Sequence, residues 1–292
     1  MSDPRYLDGR RVQRRILDDV RSYTAAHAMP RLVSISIGDV PEVAVYIRNQ
    51  ARAAERAGLP FERLFWPASI DVADAKRRIT ALNDDDDVLG IILQRPVPAR
   101  LNVRTLQNAI HPLKDVEGMS PASIGNIVYS DVALAPCTAA ASVELIRETG
   151  LALEGLEVVM IGHSEIVGKP AALMLMAEGA TVTVCHHMTR SVAMHSRRAD
   201  VLVVAVGRPH LVGADMVKPG AAVIDIGINA VPDGEGGTRL VGDVDTQAVI
   251  EIASWITPVP GGVGPVTVGC LMRNAVTAHR RQKEAGWLPA SA

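Results

Sequence analysis

Aromatic side chains are scarce in this 292-residue sequence: three Trp, four Tyr and two Phe make up 3% of it. Any flat ligand must therefore be gripped by aliphatic walls and backbone groups rather than by stacked rings. Cysteine is equally sparse. Cys137, Cys185 and Cys270 are widely spaced and form no CxxC pair, which excludes a disulfide framework and a cysteine-based zinc site. No apolar run approaches the roughly 20 residues that span a bilayer. The N-terminal arginines alternate with Asp3, Asp8, Asp18 and Asp19 around no apolar signal core, so a cytoplasmic protein without a membrane partner is expected. Neither sign of charge dominates: 30 Lys and Arg face 32 Asp and Glu. With no basic face to neutralise a phosphate backbone, nucleic acid is not an expected partner.

Apolar residues are plentiful, at 48% of the chain, and over 292 positions they can fill two cores. The pattern along the chain alternates. Helical spacing over Asp8 to Ala28 gives way to the β-rich run Arg31 to Ile37. A helix over Glu42 to Ala57, a strand near Glu62 to Trp66, a helix over Val72 to Leu82 and the apolar run Val88 to Leu93 follow. Pro96, Pro98, Pro112 and Pro121 mark the next stretch as largely loop, before a helix over Ala140 to Thr149. Beyond it, Glu157 to Ile161, Ala180 to Cys185, Val201 to Val206 and Ala221 to Ile226 read as buried parallel strands. The segment TPVPGGVGPVT from Thr257 is expected to be neither helix nor central strand, and a helix from about Val266 to Glu284 closes the chain. This predicts a two-domain α/β protein, with the tetrad Asp84 to Asp87 as a solvated turn.

The run EVVMI leads directly into Gly162, His163, Ser164 and onward to Gly168-Lys169-Pro170, then into a helix rich in Ala, Leu and Met. Strand, glycine turn and helix make a phosphate cradle, in which free N–H groups and the helix dipole face an anion. The spacing is not GxGxxG, and an ordinary tight βα turn would also use glycine. About 20 residues further on, where a Rossmann domain reads the adenosine ribose, stand Cys185-His186-His187 with no acidic residue among them. Neutral or cationic side chains there suit a 2′-phosphate, which leans to NADP over NAD. A metal pair at His186 and His187 lacks a third ligand at suitable spacing, so no metal is expected.

Together, GHSEIVGKP, KPGAAVIDIGIN and ITPVPGGVGPVT resemble the methylenetetrahydrofolate dehydrogenase/cyclohydrolase family, and GDVPEVAVYIRNQ, GIILQRPVP, KDVEG and APCT extend the resemblance through the N-terminal half in family order. The resemblance implies an N-terminal folate-site domain over residues 1–138 and a Rossmann-like, doubly wound NAD(P)-binding domain over 139–265. It also implies a folate site between them, a last helix over about 266–285 that returns to the first domain, and a homodimer. Carried over residue by residue, it assigns Tyr46, Gln94 and Asp115 to substrate and catalysis, with Asp115 accepting paired hydrogen bonds from the pterin. Gly261, Gly262 and Pro265 would wall the substrate, and Gly162, His163, Ser164, His187 and Ile228 would hold the cofactor.

Departures from the family pattern gather at the folate site. Gln50 stands where the family has a lysine, one helical turn after Tyr46; an amide cannot titrate, so hydrolysis is expected to be weak or absent. Arg95, Glu117, Met119 and Ala139 also depart, as do His163 and His187 at the cofactor. The expected activity is oxidation of methylenetetrahydrofolate to the methenyl cation. The alternatives are the full bifunctional enzyme, a non-catalytic folate- or nucleotide-binding paralogue, and an oxidoreductase for another substrate.

Overall fold

A computed structural model describes residues 3–234 and 236–288, the side chain of Glu42 excepted. The chain divides into two compact units: residues 14–137 with those from 268 onward, and residues up to Gln13 with 138–267.

The first unit carries α1 (Gly9–Thr24) from residue 14 onward, β1 (Arg31–Ile37), α2 (Pro41–Arg56), β2 (Phe61–Trp66), α3 (Val72–Asn83), β3 (Val88–Leu93), α4 (Val103–Gln107) and α5 (Pro121–Val128). Its sheet is parallel in the order β2-β1-β3, and all six residues of β3 are buried. That explains an apolar run without alternation, since a strand covered on both faces needs no polar side. Val33, Ile35, Ile91, Leu93, Ile79 and Leu106 meet in its core. The proline-marked stretch is more structured than its composition predicts. Besides α4 and α5 it holds a 3₁₀ turn over Pro112–Lys114, and Pro112 and Pro121 sit at the start of their elements, where a helix needs no N–H and the fixed φ of proline is favourable. Asn102, His111 and Ser120 cap the three elements by accepting backbone N–H bonds. The acidic turn before β3 is also occupied: the Asp85 carboxylate pairs with Arg31 at 2.7 Å, and Lys114, 2% exposed, donates to the carbonyls of Leu82 and Asp85.

The second unit carries α6 (Cys137–Arg147), β4 (Glu157–Ile161), α7 (Gly168–Ala177), β5 (Thr181–Cys185), α8 (Val192–Ser196), β6 (Val201–Val204), β7 (Ala222–Asp225), β8 (Asn229–Pro232), β9 (Thr238–Val241), α9 (Thr246–Val249), β10 (Trp255–Ile256) and the first residues of α10 (Val263–Glu284). Five parallel strands run in the order β10-β7-β6-β4-β5. Strand order reverses between β4 and β6, and a doubly wound sheet binds its ligand outside the carboxyl ends of the strands at that point. Residues 5–7, which the sequence reading places in the first domain, run beside β10: Leu7 N–H donates to the Ile256 carbonyl at 2.9 Å, and Ile256 N–H to that of Arg5 at 2.9 Å. The antiparallel hairpin β8-β9 was not foreseen from the sequence. Nor was the early start of α10 at Val263, which takes in Gly264 and Pro265; a proline in the first turn removes no helical hydrogen bond, so the PGGVGP string does not delay the helix.

Candidate functional site

In the first unit, α2 places Tyr46 and Gln50 one turn apart, and the end of β3 places Gln94 beside them. Gln94 Nε2 donates to Gln50 Oε1 at 2.7 Å and to Ser34 Oγ at 3.0 Å. Both amide protons of Gln94 are therefore used, and both glutamines are nearly buried, Gln50 at 1% and Gln94 at 4% exposure. The network fixes the amide orientation of Gln50, whose Oε1 is taken by Gln94 and whose amide acts on the neighbouring Tyr46 hydroxyl. Tyr46 leaves 41% of its surface exposed, but its hydroxyl end is desolvated and neighbours Cys137 and Glu117, which push the phenol above its ordinary range.

Asp115 and Glu117 share one loop but do different work. The Asp115 carboxylate, 2% exposed, accepts from Met119 N–H at 3.1 Å, Ser120 N–H at 2.7 Å and the Ser123 hydroxyl at 2.8 Å. Three of its roughly four lone-pair directions are spent on its own loop and on the start of α5. Glu117 accepts the Leu93 N–H on Oε2 at 2.9 Å, and among the described residues no hydrogen bond to its Oε1 is found. Burial, then the nearby Asp115 charge, push its carboxyl up to about 7 against the Leu93 bond and the Arg95 charge. Sequence reading noted Glu117 only as a substitution for aspartate and placed the site carboxylate at Asp115. What singles out Glu117 is a contact with Leu93 that no local motif encodes.

In the second unit, a cavity of about 820 Å³ opens at the carboxyl ends of β4, β5 and β6. Gly162, His163, Ser164 and Glu165 line it from the turn after β4, Lys169 from the first turn of α7, His186 and His187 from the end of β5, and Arg208 from beyond β6. Gly162 has φ +115°, and a Cβ there would lie 2.1 Å from the Ala205 carbonyl oxygen; a Cβ at Gly168 would lie 2.2 Å from the oxygen of Gly162. The turn is therefore drawn against both β6 and the first turn of α7, leaving room for a phosphate where side chains would otherwise stand. Ser164 Oγ accepts the Val167 N–H at 3.2 Å, and its carbonyl accepts the Lys169 N–H at 3.0 Å, which shape the turn. These features fit a dinucleotide. Ile228 stands away from this group, 61% exposed and with its Cδ1 4.0 Å from where a Cβ of Gly264 would be. Gly261 and Gly262 form the turn before α10, closed by the Gly262 N–H to Pro258 carbonyl bond at 2.8 Å, and Pro265 is half-buried in the first turn of that helix.

Asp243 was missed by sequence reading. Fully buried, it accepts from Val206 N–H at 2.6 Å, Gly207 N–H at 2.9 Å, Arg208 N–H at 2.8 Å and Asn229 Nδ2 at 2.9 Å, so one carboxylate gathers the loop after β6 and the start of β8. Asp225, at the end of β7, accepts in turn from the N–H groups of Gly227, Asp243 and Val244. Burial and the Asp243 charge raise its carboxyl to about 6 in spite of these bonds. The only sequence signal was an aspartate in the string VGDVD after a glycine-rich turn.

Fold and cavity define a dinucleotide-binding α/β protein. A model of the tetrahydrofolate dehydrogenase/cyclohydrolase NAD(P)-binding domain matches residues 136–283, and one of that family's catalytic domain matches residues 7–117. The chain belongs to the tetrahydrofolate dehydrogenase/cyclohydrolase family. It is 75% identical to "Bifunctional protein FolD 3" of Roseobacter denitrificans, over 98% of this chain and 99% of the relative, and 71% identical to "Bifunctional protein FolD" of Rhodobacter capsulatus, over 99% and 98%. The crystal structure of the Trypanosoma brucei N5,N10-methylenetetrahydrofolate dehydrogenase-cyclohydrolase, complexed with NADP and an inhibitor, superposes with a TM-score of 0.90 at 34% identity, covering 97% of this chain and 99% of that one.

Proposed function

We propose that this protein is a bifunctional enzyme, an NADP-dependent methylenetetrahydrofolate dehydrogenase that also hydrolyses the methenyl product to 10-formyltetrahydrofolate. The observation that carries the folate reading is the buried amide chain Ser34–Gln94–Gln50, ending at Tyr46 and flanked by Glu117, within the segment matched to the catalytic domain. Apolar walls alone could not orient a pterin, whereas a few convergent polar groups can. Tyr46, Gln50, Gln94 and Glu117 are assigned to the substrate, and Asp115 to shaping the loop that presents Glu117. Gly162, His163, Ser164, His187 and Ile228 are assigned to the cofactor, which supplies the hydride acceptor. A cytoplasmic homodimer is the assembly that goes with this reading.

Gln50 led the sequence to predict little hydrolysis, but the names of the 75% and 71% identical relatives favour the bifunctional reading. The two half-reactions make different demands. Hydride departure is driven by the folate nitrogen lone pair and asks the protein mainly for alignment. Hydrolysis asks for a group that takes a proton from water. Gln50 cannot supply one, and Glu117, with a carboxyl near 7 and only its Oε2 bonded to Leu93, can.

The test is purified protein with methylenetetrahydrofolate and NADP or NAD, following reduced cofactor and methenyl absorbance separately, then the decay of authentic methenyltetrahydrofolate. Reduced NADP should form, and methenyl decay should outrun that in buffer. Absence of any reduced cofactor would sink the dehydrogenase reading. Methenyl product accumulating in step with reduced cofactor and decaying only at the buffer rate would leave a monofunctional dehydrogenase, with Gln50 as the physical reason.

A further inference from the structure

Three imidazoles converge on the nucleotide cavity from two elements. His163, in the turn after β4, lies 4.8 Å from His186 and 6.2 Å from His187 between ring centroids, and His186 lies 5.9 Å from His187. All three line the cavity, with Lys169 and Arg208 as the cations and Glu165 as the carboxylate among the lining residues. Among the described residues no group of three His, Cys, Asp or Glu is arranged to hold a metal ion, so the cluster needs another explanation. His186 Nδ1 accepts the Met188 N–H at 3.2 Å, which assigns its proton to Nε2 and makes it a neutral donor. Among the described residues no such bond is found at His163 or His187, and both are exposed.

We propose that His163, His186 and His187 form a proton-gated site for the 2′-phosphate of the dinucleotide, so that the preference for a 2′-phosphorylated over an unphosphorylated nucleotide falls as pH rises. The site lies at the end of β5, where a doubly wound domain meets the adenosine ribose, and no carboxylate stands on that strand end to favour a bare hydroxyl. Imidazole is the side chain that gains charge between pH 5 and 8, and two imidazolium rings about 6 Å apart repel unless an anion sits between them. Uptake of the phosphate therefore draws protons onto His163 and His187, while His186 donates its Nε2–H. Lys169, Arg208 and Glu165 are the other charged groups lining the cavity, and Cys185, next in sequence to His186, has its thiol raised by burial. The inference rests on the nucleotide assignment of this cavity and not on the folate reaction.

The ligand's own titration makes the sign diagnostic. A phosphate monoester loses its second proton near pH 6, so a site built from permanent cations would bind it more tightly as pH rises. A histidine site does the reverse. The measurement is calorimetric titration of the intact protein with adenosine 2′,5′-bisphosphate and with adenosine 5′-monophosphate at pH 6, 7 and 8, in buffers of different ionisation enthalpy. The bisphosphate preference should fall roughly tenfold or more from pH 6 to 8, with net uptake of about half to one proton per bisphosphate at pH 7. The His163→Asn/His187→Asn double variant should lose both the slope and the proton uptake, with a circular-dichroism melt reporting whether it folds. A wild-type preference that is flat or rises with pH overturns the proposal even if that variant fails to fold. Binding of neither nucleotide at any pH overturns the nucleotide assignment beneath it, whatever the folate assays show.

Discussion

At the scale of single residues, Glu117 combines two roles that pull against each other. Its carboxyl is raised from 4.5 to about 7 because burial penalises the charge. The folded state therefore holds the proton more tightly than the unfolded chain does. The stability this contributes is complete below about pH 4.5 and is lost as pH rises through 7, every tenfold difference in proton affinity being worth about 1.4 kcal/mol. Glu117→Gln keeps an acceptor for Leu93 N–H and removes the charge. It should stabilise the protein by roughly 1–3 kcal/mol at pH 8 and by little at pH 5, as read from urea midpoints at the two pH values, while slowing methenyl hydrolysis. Equal effects on stability at both pH values would mean that the carboxylate is well solvated. Gln50 is the complementary case: an amide in a buried chain, held by Gln94, that orients a phenol but carries no exchangeable charge.

At the scale of elements, the nucleotide site depends on loops that no single element holds. The strand-end glycines bring β4, β6 and α7 close enough to leave space for a phosphate, and Asp243 holds the loop after β6 by three backbone donors and the start of β8 by a fourth, Asn229 Nδ2. Asp243→Asn preserves volume but presents an amide N–H₂ to N–H donors, leaving buried donors unmatched. That should cost roughly 2–4 kcal/mol and weaken NADP binding at least tenfold, measured by thermal melts and fluorescence titration. A variant that binds normally despite lowered stability would separate the Asp243 network from the cofactor.

At the scale of the whole molecule, α10 ties the end of the chain to segments 139 to 193 residues earlier. Asn274 Nδ2 donates to the carbonyls of Val116 at 2.9 Å and Ala135 at 3.0 Å, and Gln282 Nε2 to those of Leu89 at 2.7 Å and Leu113 at 2.8 Å. Val116 separates Asp115 from Glu117, so Asn274 also steadies the loop that carries both carboxylates. Asn274→Ala and Gln282→Ala should each cost roughly 1–3 kcal/mol in urea denaturation. Eight residues apart, about 12 Å along the helix, they should add nearly independently in the double variant. Only Asn274→Ala should also impair folate turnover.

The sequence by itself determined the alternation of helices and strands, because buried parallel strands are apolar runs, unbroken in β3 and following a single Glu157 in β4. It also located the glycine turn at 162–168, since only glycine tolerates that backbone and that closeness. It underestimated the 96–136 stretch, where prolines start helices rather than end them, and it missed the hairpin β8-β9. Only the tertiary structure decided which of two carboxylates on one loop, Asp115 or Glu117, is spent internally, that Asp243 gathers the loop after β6, and that three histidines from two elements meet at one cavity. Hydrogen-bond partners and ring contacts depend on distances between residues far apart in the chain, and no local pattern of residue types records those distances.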